Sequence, residues 1–279
     1  MSLEEFLSNL PVGLVGGFFG GMLGIGGSVV SMPLLDFVHG PNQQLYQASS
    51  MVANVCSALS GSRKHRGRGT IRTDLIPTML PLAGAGAVLG AVTSNWIEPA
   101  PLRGVFGTFL CITAILECRG ALLKRADSDE RDEQALRGTR TRCGIVAVSG
   151  GLVSGLLGVG GGVLMVPMLR GFVGLGLRQS IATSSVVMLA STTVGAVTKN
   201  ATLGSIHDST GSAITLAQSM SLALPLSIGA LIGAALGASC SYRIPLRGLK
   251  LAFATLIAIA GARMLLQTLH ATCAPTLTS

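Results

Sequence analysis

Eight apolar segments, separated by short polar or charged stretches, limit what this chain can fold into more than any other feature. They cover residues 10–36, 44–61, 75–97, 102–123, 143–169, 178–198, 212–241 and 246–269, the second and sixth being the shortest and most polar. A bilayer-spanning helix needs about 20 predominantly apolar residues. Charged residues make up 11% of the chain, against about 25% in a soluble domain, and the mean hydropathy is +0.62. The expectation is an all-α, polytopic membrane protein with about eight transmembrane helices. The 38 glycines fit it, because small residues let helix backbones approach closely in lipid. The run after Met1-Ser2-Leu3-Glu4-Glu5 is far longer than a signal-peptide core, so it is expected to stay as a membrane helix.

The segments fall into two sets of four. Residues 16–35 read GGFFGGMLGIGGSVVSMPLL and residues 150–169 read GGLVSGLLGVGGGVLMVPML, identical at ten of twenty positions at an offset of 134. The same offset aligns Ala48-Ser49-Ser50 with Ala182-Thr183-Ser184, and Gly61 with Gly195. Pro101-Leu102-Arg103-Gly104 recurs as Pro245-Leu246-Arg247-Gly248, with ten further residues inserted. The expected organisation is a four-helix repeat at 1–123, a charged linker at 124–142 and a second four-helix repeat at 143–279. Internal repeats of this kind are common in secondary transporters.

The Gly-rich stretches are where chemistry is expected. Gly24-Ile25-Gly26-Gly27-Ser28 and Gly158-Val159-Gly160-Gly161-Gly162 lie mid-segment, followed by Pro33 and Pro167. Clustered glycine weakens a helix by roughly 1 kcal/mol per residue relative to alanine, and proline removes a backbone donor. Broken first helices are therefore expected in both halves, with Pro33 and Pro167 as structural breaks. Irregular backbone at membrane depth survives where protein or a wet cavity covers it, and a fresh helix N-terminus attracts anions. Candidate substrate-binding residues are Gly26, Gly27, Ser28, Gly160, Gly161 and Gly162, with the hydroxyls of Ser49, Ser50, Thr183 and Ser184 closing the sides. A second role stays open for the glycines: Gly17/Gly21, Gly20/Gly24, Gly151/Gly155 and Gly158/Gly162 have the spacing of helix-packing faces. The hydroxyls could equally bond between helices. Asn54, Lys199 and Asn200 are weaker candidates, Lys199 reading as a snorkelling residue at a helix end.

The charges bear on orientation. If every segment crosses once, the connections after segments two, four and six lie on the side of both termini. They and their flanks hold 14 Lys and Arg, against six on the other side: Arg103, Arg170, Arg178, Arg243, Arg247 and Lys250. The positive-inside rule then places both termini in the cytoplasm, with the first half supplying nearly all of the bias. Four crossings per half make the repeats parallel. If the Gly-rich segment instead enters and returns, the count becomes odd and the halves invert. The charge count favours parallel.

Several function classes are disfavoured. One Trp and two Tyr offer no platform for stacking bases, so the net charge of +8 reads as loop charge and not as a nucleic-acid surface. The six cysteines form no CxxC pair and have no histidine at ligand spacing, so neither a metal nor a cofactor is expected. Gly24, Gly26 and Gly27 lack the third glycine of a dinucleotide fingerprint. No Asp or Glu lies mid-segment as a proton relay, Asp36 and Glu117 being near segment ends. No catalytic triad is apparent, and the chain is not expected to be an enzyme.

The paired Gly-rich segments running into proline, the A-[ST]-S blocks about fifteen residues later and the duplicated layout resemble the sulfite exporter TauE/SafE family. The resemblance covers essentially the whole chain, with Met51 standing where the second half has Ser185. It implies a permease or exporter for a small sulfur-containing anion, such as sulfite or an organosulfonate, in the bacterial inner membrane. The expected partners are that anion and the lipid bilayer; the oligomeric state is left open. The alternative is a membrane scaffold or assembly factor that docks a partner through the charged 124–142 linker.

Overall fold

The computed structural model describes residues 3–66, 70–122, 139–205, 213–240 and 246–273. Most of the 124–142 linker, and residues 67–69 between α3 and α4, lie outside these. The described elements are helical: α1 (Leu3–Leu23), α2 (Ser28–His39), α3 (Gln43–Arg66), α4 (Ile76–Asn95), α5 (Pro99–Leu122), α6 (Thr139–Leu157), α7 (Gly162–Met168, continued by a π turn, Leu169–Val173), α8 (Leu177–Ala201), α9 (Leu216–Cys240) and α10 (Leu246–Cys273). By length and composition six stretches are apolar enough to cross a membrane, within α1, α4, α5, α8, α9 and α10. α3 is as long but more polar, and α6 begins with Arg140 and Arg142.

The first expected span is two helices, because the Gly-rich stretch is a hairpin turn. The Asn9 amide oxygen on α1 lies 2.8 Å from a His39 ring nitrogen at the end of α2. A Cβ on Gly16 would fall 2.7 Å from the Gly27 carbonyl oxygen, and one on Gly20 2.5 Å from the Gly27 nitrogen. α2 therefore runs back along α1. α6 and α7 repeat the arrangement: Gly150 abuts Met165, the Ser149 hydroxyl is 3.5 Å from the Met168 sulfur, and the Arg142 guanidinium donates to the Phe172 carbonyl. Pro33 and Pro167 are not the breaks. Each sits inside the returning helix, since a proline orphans a single carbonyl whereas the glycine clusters at 24–27 and 158–161 reverse the chain. After Pro167 the helix continues through the π turn.

This geometry sets the directions of all the helices. The start of α3 meets the end of α4 through Gln44, whose amide donates to the Ser94 carbonyl, and the end of α8 through Lys199. The Arg72 backbone N–H, beyond the other end of α3, donates to Thr183 near the start of α8. α3 and α8, which the 134-residue offset superposes, are thus antiparallel. Each set of four segments folds as one helical hairpin followed by three long helices, and α3 and its counterpart α8 run in opposite directions. The parallel expectation rested on counting the hairpin as a crossing.

The hairpins are packed across the halves. Gly13, Gly17 and Gly21 of α1 lie on Leu226, Ala230 and Ala234 of α9, which replies with Gly229, Gly233 and Gly237. Gly151 and Gly155 of α6 lie in the same way on Ala83 and Ala87 of α4. A Cβ at any of these glycines would enter partner backbone, so both seams depend on small residues at four-residue spacing. α5 and α10 pair antiparallel beside them, Gly107 meeting Gly261.

Two faces result. The start of α1 and the end of α10 share one, here the terminal face. The ends of α3 and α5 and the starts of α6 and α8 share the other, the linker face. Nine described cationic side chains sit at the linker face: Arg63, Lys64, Arg66, Arg72, Arg119, Arg140, Arg142, Arg170 and Arg178. Among the described side chains, Arg103, Lys199 and Arg263 are the cations of the terminal-face half.

Candidate functional site

The two hairpin turns pass each other at the middle of the bundle. A Cβ on Gly26 would fall 2.6 Å from the Val159 carbonyl oxygen and 3.2 Å from the Met188 sulfur, and Gly160 faces the same Met188 and Asn54. Asn54 and Met188 are the midpoints of α3 and α8, and they correspond at the 134-residue offset. Gly26 and Gly160 adopt φ of 89° and 79°, a left-handed backbone that favours glycine. Conformation and close approach therefore both require glycine at this crossing.

Asn54 clasps both turns. Its carbonyl oxygen accepts from the Ser28 backbone N–H at 3.0 Å, at the first turn of α2. Its NH2 donates to the Ser28 hydroxyl at 2.6 Å and to the Gly158 carbonyl at 3.2 Å. The amide oxygen thus stands where an anion's oxygen would meet the N-terminus of α2. On the other side, the Ser184 hydroxyl donates to the Gly24 carbonyl at 3.2 Å and the Ile181 carbonyl at 3.0 Å. Gln47 NH2 reaches the Gly155 and Leu156 carbonyls at 2.8 and 3.0 Å and Ser94 Oγ at 3.3 Å. Asn54 and Gln47, both on α3, bond neighbouring carbonyls of the second hairpin, and from Gln47 a polar line runs through Ser94 to Lys199, whose ammonium donates to Ser94 Oγ at 2.9 Å, Asn95 Oδ1 at 2.6 Å and Gln44 Oε1.

The candidates named from sequence are thus partly reassigned. Gly26, Ser28, Gly160, Gly162 and Ser184 converge on the crossing, Gly162 packing on Gly24 and Ile25. Gly27 and Gly161 cap the returning helices: their carbonyls accept from the Val30 and Ser31 N–H groups of α2 and from the Leu164 and Met165 N–H groups of α7. The Ser49 hydroxyl is engaged within its own helix at the Leu45 carbonyl. Thr183 accepts from Arg72 toward the linker face. Ser50 is fully buried with no partner for its hydroxyl. Gln44 and Gln47 were missed, and Asn54 and Lys199 were underrated. Lys199 joins the others only once α3, α4 and α8 are packed, whereas Gln44, Gln47 and Asn54 on one apolar segment were a visible signal.

Asp36 is also buried. It accepts from Arg103 at 2.5 Å, and Arg103 donates as well to Gln267, joining α2 to α5 and α10. Among the described residues no cluster of His, Cys, Asp and Glu could hold a metal ion.

Residues 10–264 match the sulfite exporter TauE/SafE family. The chain belongs to that family. It is 26% identical, over 95% of its length, to the probable membrane transporter protein MamO of Magnetospirillum gryphiswaldense, and spans 45% of that protein. It is 22% identical over 94% of its length to the probable membrane transporter protein YunE of Bacillus subtilis, spanning 98% of it. A probable membrane transporter protein of Methanocaldococcus jannaschii is 25% identical, with 97% of its length covered. The chain therefore spans less than half of MamO and nearly all of the other two. No solved structure matches it. With six stretches long and apolar enough to cross a membrane, this TauE/SafE family member is a multi-pass membrane protein, and the crossing of its two turns is the candidate site.

Proposed function

We propose that the chain carries a small sulfur-containing oxyanion, sulfite or an organosulfonate, across the bacterial inner membrane, with the substrate bound where the two glycine turns cross. The observation that carries this reading is Asn54 lying over the α2 N-terminus, its amide oxygen held by the Ser28 N–H. An oxyanion takes that place when Asn54 swings aside, and finds the Ser28 hydroxyl and the amide NH2 around it. The family's name supplies sulfur as the substrate element. The polar line from the crossing carries amides, hydroxyls and one ammonium, and no carboxylate, which suits an anion. Residues 1–123 and 143–279 act as inverted halves joined by 124–142, so that each hairpin gates one face.

The same reading orients the protein with the linker face in the cytoplasm and the terminal face, with the start of α1 and the end of α10, outside. Re-sorting the charges by the observed helix directions puts nine described cations at the linker face. The connections holding Arg68, Lys124, Arg125, Arg131, Arg137 and Arg243 join helix ends of that face too. The three on the terminal-face half are engaged: Arg103 by Asp36, Lys199 by neutral oxygens, and Arg263 over the Phe37 ring at 4.5 Å. The positive-inside rule then favours outward termini.

Flux is the test. Purified protein in liposomes is expected to move radiolabelled sulfite or a labelled sulfonate down its gradient, and Asn54→Leu to reduce that flux at least tenfold while inserting normally. Absence of flux of every small sulfur oxyanion tried in the unmodified protein defeats the reading.

A further inference from the structure

We infer that Lys199, with Gln44, Ser94 and Asn95, forms a second anion-binding station on the terminal-face half of the path, distinct from the glycine crossing. The inference rests on the anion-carrier reading above and adds a place where the anion is held.

The first observation is charge without a counter-charge. Lys199 is fully buried. The salt bridges among the described residues are Arg72–Asp74 and Arg103–Asp36, so no described carboxylate pairs with Lys199. Its three donors meet three neutral oxygens, which satisfy hydrogen bonds and leave the charge unneutralised. A buried charge is costly unless paired. Arg103, the other buried cation of this half, has Asp36 as a resident partner. Lys199 has none, and a mobile anion supplies one.

The second observation is a built cage. Gln44 donates to the Ser94 carbonyl at 3.1 Å and the Ile97 carbonyl at 3.2 Å, which turns its oxygen toward the ammonium. Asn95 donates to Thr202 Oγ1 at 2.7 Å, which does the same for its oxygen. Ser94 Oγ donates to the Ala91 carbonyl at 2.7 Å, leaving its lone pairs for Lys199 and Gln47. Displacing one of these three oxygens gives an anion direct contact with the ammonium, and the released amide or hydroxyl can rotate to donate.

The third observation is continuity. Ser94 links Lys199 to Gln47, and Gln47 reaches the Gly155 and Leu156 carbonyls in the last turn of α6, just before the second glycine turn. The corresponding positions of the second half are apolar at the crossing: Ile181 stands for Gln47 and Met188 for Asn54 at the 134-residue offset. The hydrogen-bonded line through Gln47 and Ser94 therefore runs toward the terminal face, and Lys199 is its outer end. The station takes a small oxyanion, sulfite or sulfonate, bound by one ammonium and neutral donors.

Trp96, the sole tryptophan, follows Asn95 directly and reports on the cage. The full chain in detergent is titrated with sodium sulfite and with isethionate, and with neutral dimethyl sulfone as the uncharged control. The expected result is a saturable change in Trp96 emission and a rise in melting temperature with the two anions and not with the sulfone. Lys199→Gln should weaken the apparent affinity at least tenfold, and Lys199→Arg should keep a saturable response. Asn95→Asp places a resident carboxylate beside the ammonium. It should likewise cost at least tenfold in affinity without lowering the melting temperature of the ligand-free protein, and it carries the test if Lys199→Gln does not fold. Wild-type affinity in Lys199→Gln or in Asn95→Asp overturns the inference, as does a lowered melting temperature with unchanged affinity, or no response of the unmodified protein to either anion. Liposome flux separates the two readings. Flux that is equal in wild type and Lys199→Gln removes the station and leaves the carrier. Lys199-dependent binding without any flux removes the carrier and leaves the station.

Discussion

At the scale of single residues, the glycines divide by what a methyl group would strike. Gly17, Gly21, Gly151 and Gly155 face partner helices, whereas Gly26 and Gly160 sit at the crossing with left-handed backbone. The sequence left packing and site as alternatives for one set of glycines. The structure shows the packing contacts at Gly17, Gly21, Gly151 and Gly155, and the site proposed above lies at different members, Gly26 and Gly160. Gly27 and Gly161 now make poor reporters of substrate binding. A Cβ on Gly27 would meet the Gly16 backbone at 2.8 Å from an ordinary helical conformation, while Gly161 combines a clash against Gly150 with a φ of 73°. Overpacking costs typically about 1–3 kcal/mol, and left-handed backbone adds about 1–2 kcal/mol for alanine. Gly161→Ala is expected to lower the melting temperature in detergent more than Gly27→Ala. The reverse order in a thermal-shift series contradicts this assignment. The serine pattern was legible only as hydroxyls at matching places. Which of them meets the turns depends on helix rotation, and Ser184 does so while Ser49 bonds its own helix.

At the scale of elements, each hairpin is a short helix folded back on a long one, anchored at its outer end. For α2 the anchor is the Asp36–Arg103 pair with Gln267, in a region where both partners are almost fully shielded. Removing one partner of a buried pair leaves an uncompensated charge and destabilises by roughly 3–5 kcal/mol, whereas replacing both with apolar groups is often neutral. Asp36→Asn is therefore expected to lower thermal stability sharply, and Asp36→Asn combined with Arg103→Met to recover most of it. Equal melting temperatures for the single and double variants contradict the anchoring role. Glycine clusters signalled a break in each first segment, but a break is compatible with a kink or a reversal. Reversal is decided by contacts distant in sequence: α1 buries its glycine face on α9 and α6 on α4, so α2 and α7 are left to fold back over the turns.

At the scale of the molecule, the hairpins change the parity of the crossings, and with it the side of every later loop. Counted as single crossings, the segments distribute 14 cations against six. With the observed directions, Arg103, Lys199 and Arg263 are the cations of the terminal-face half among the described side chains, and the second half no longer argues against the first. A reporter fused after Ser279 that is active in the periplasm, and one inserted at Thr70 that is active in the cytoplasm, are the expected outcomes in bacterial cells. The opposite pair of activities sinks the orientation. It would leave the inverted relation of α3 and α8 intact, because that relation comes from side-chain contacts and owes nothing to charge.

The sequence by itself determined that the chain is a helical membrane protein, because apolar length and scarce charge leave a segment few other places to lie. It determined that glycine clusters interrupt the first segment of each half, because backbone propensity is local, and its motifs pointed to the TauE/SafE family. Only the tertiary structure decided that the interruptions are turns, that the halves face opposite ways, and that Asn54 and Lys199 belong to one polar line. These depend on which helix packs against which. Gln47 reaches carbonyls more than a hundred residues away, and the Lys199 ammonium is held by residues of α3 and α4. Such pairings come from small-residue seams that allow close approach without recording a partner's identity. A lysine near the end of an apolar segment looks the same in sequence whether it reaches water or is buried among amides, and the neighbours supplied by folding make the difference.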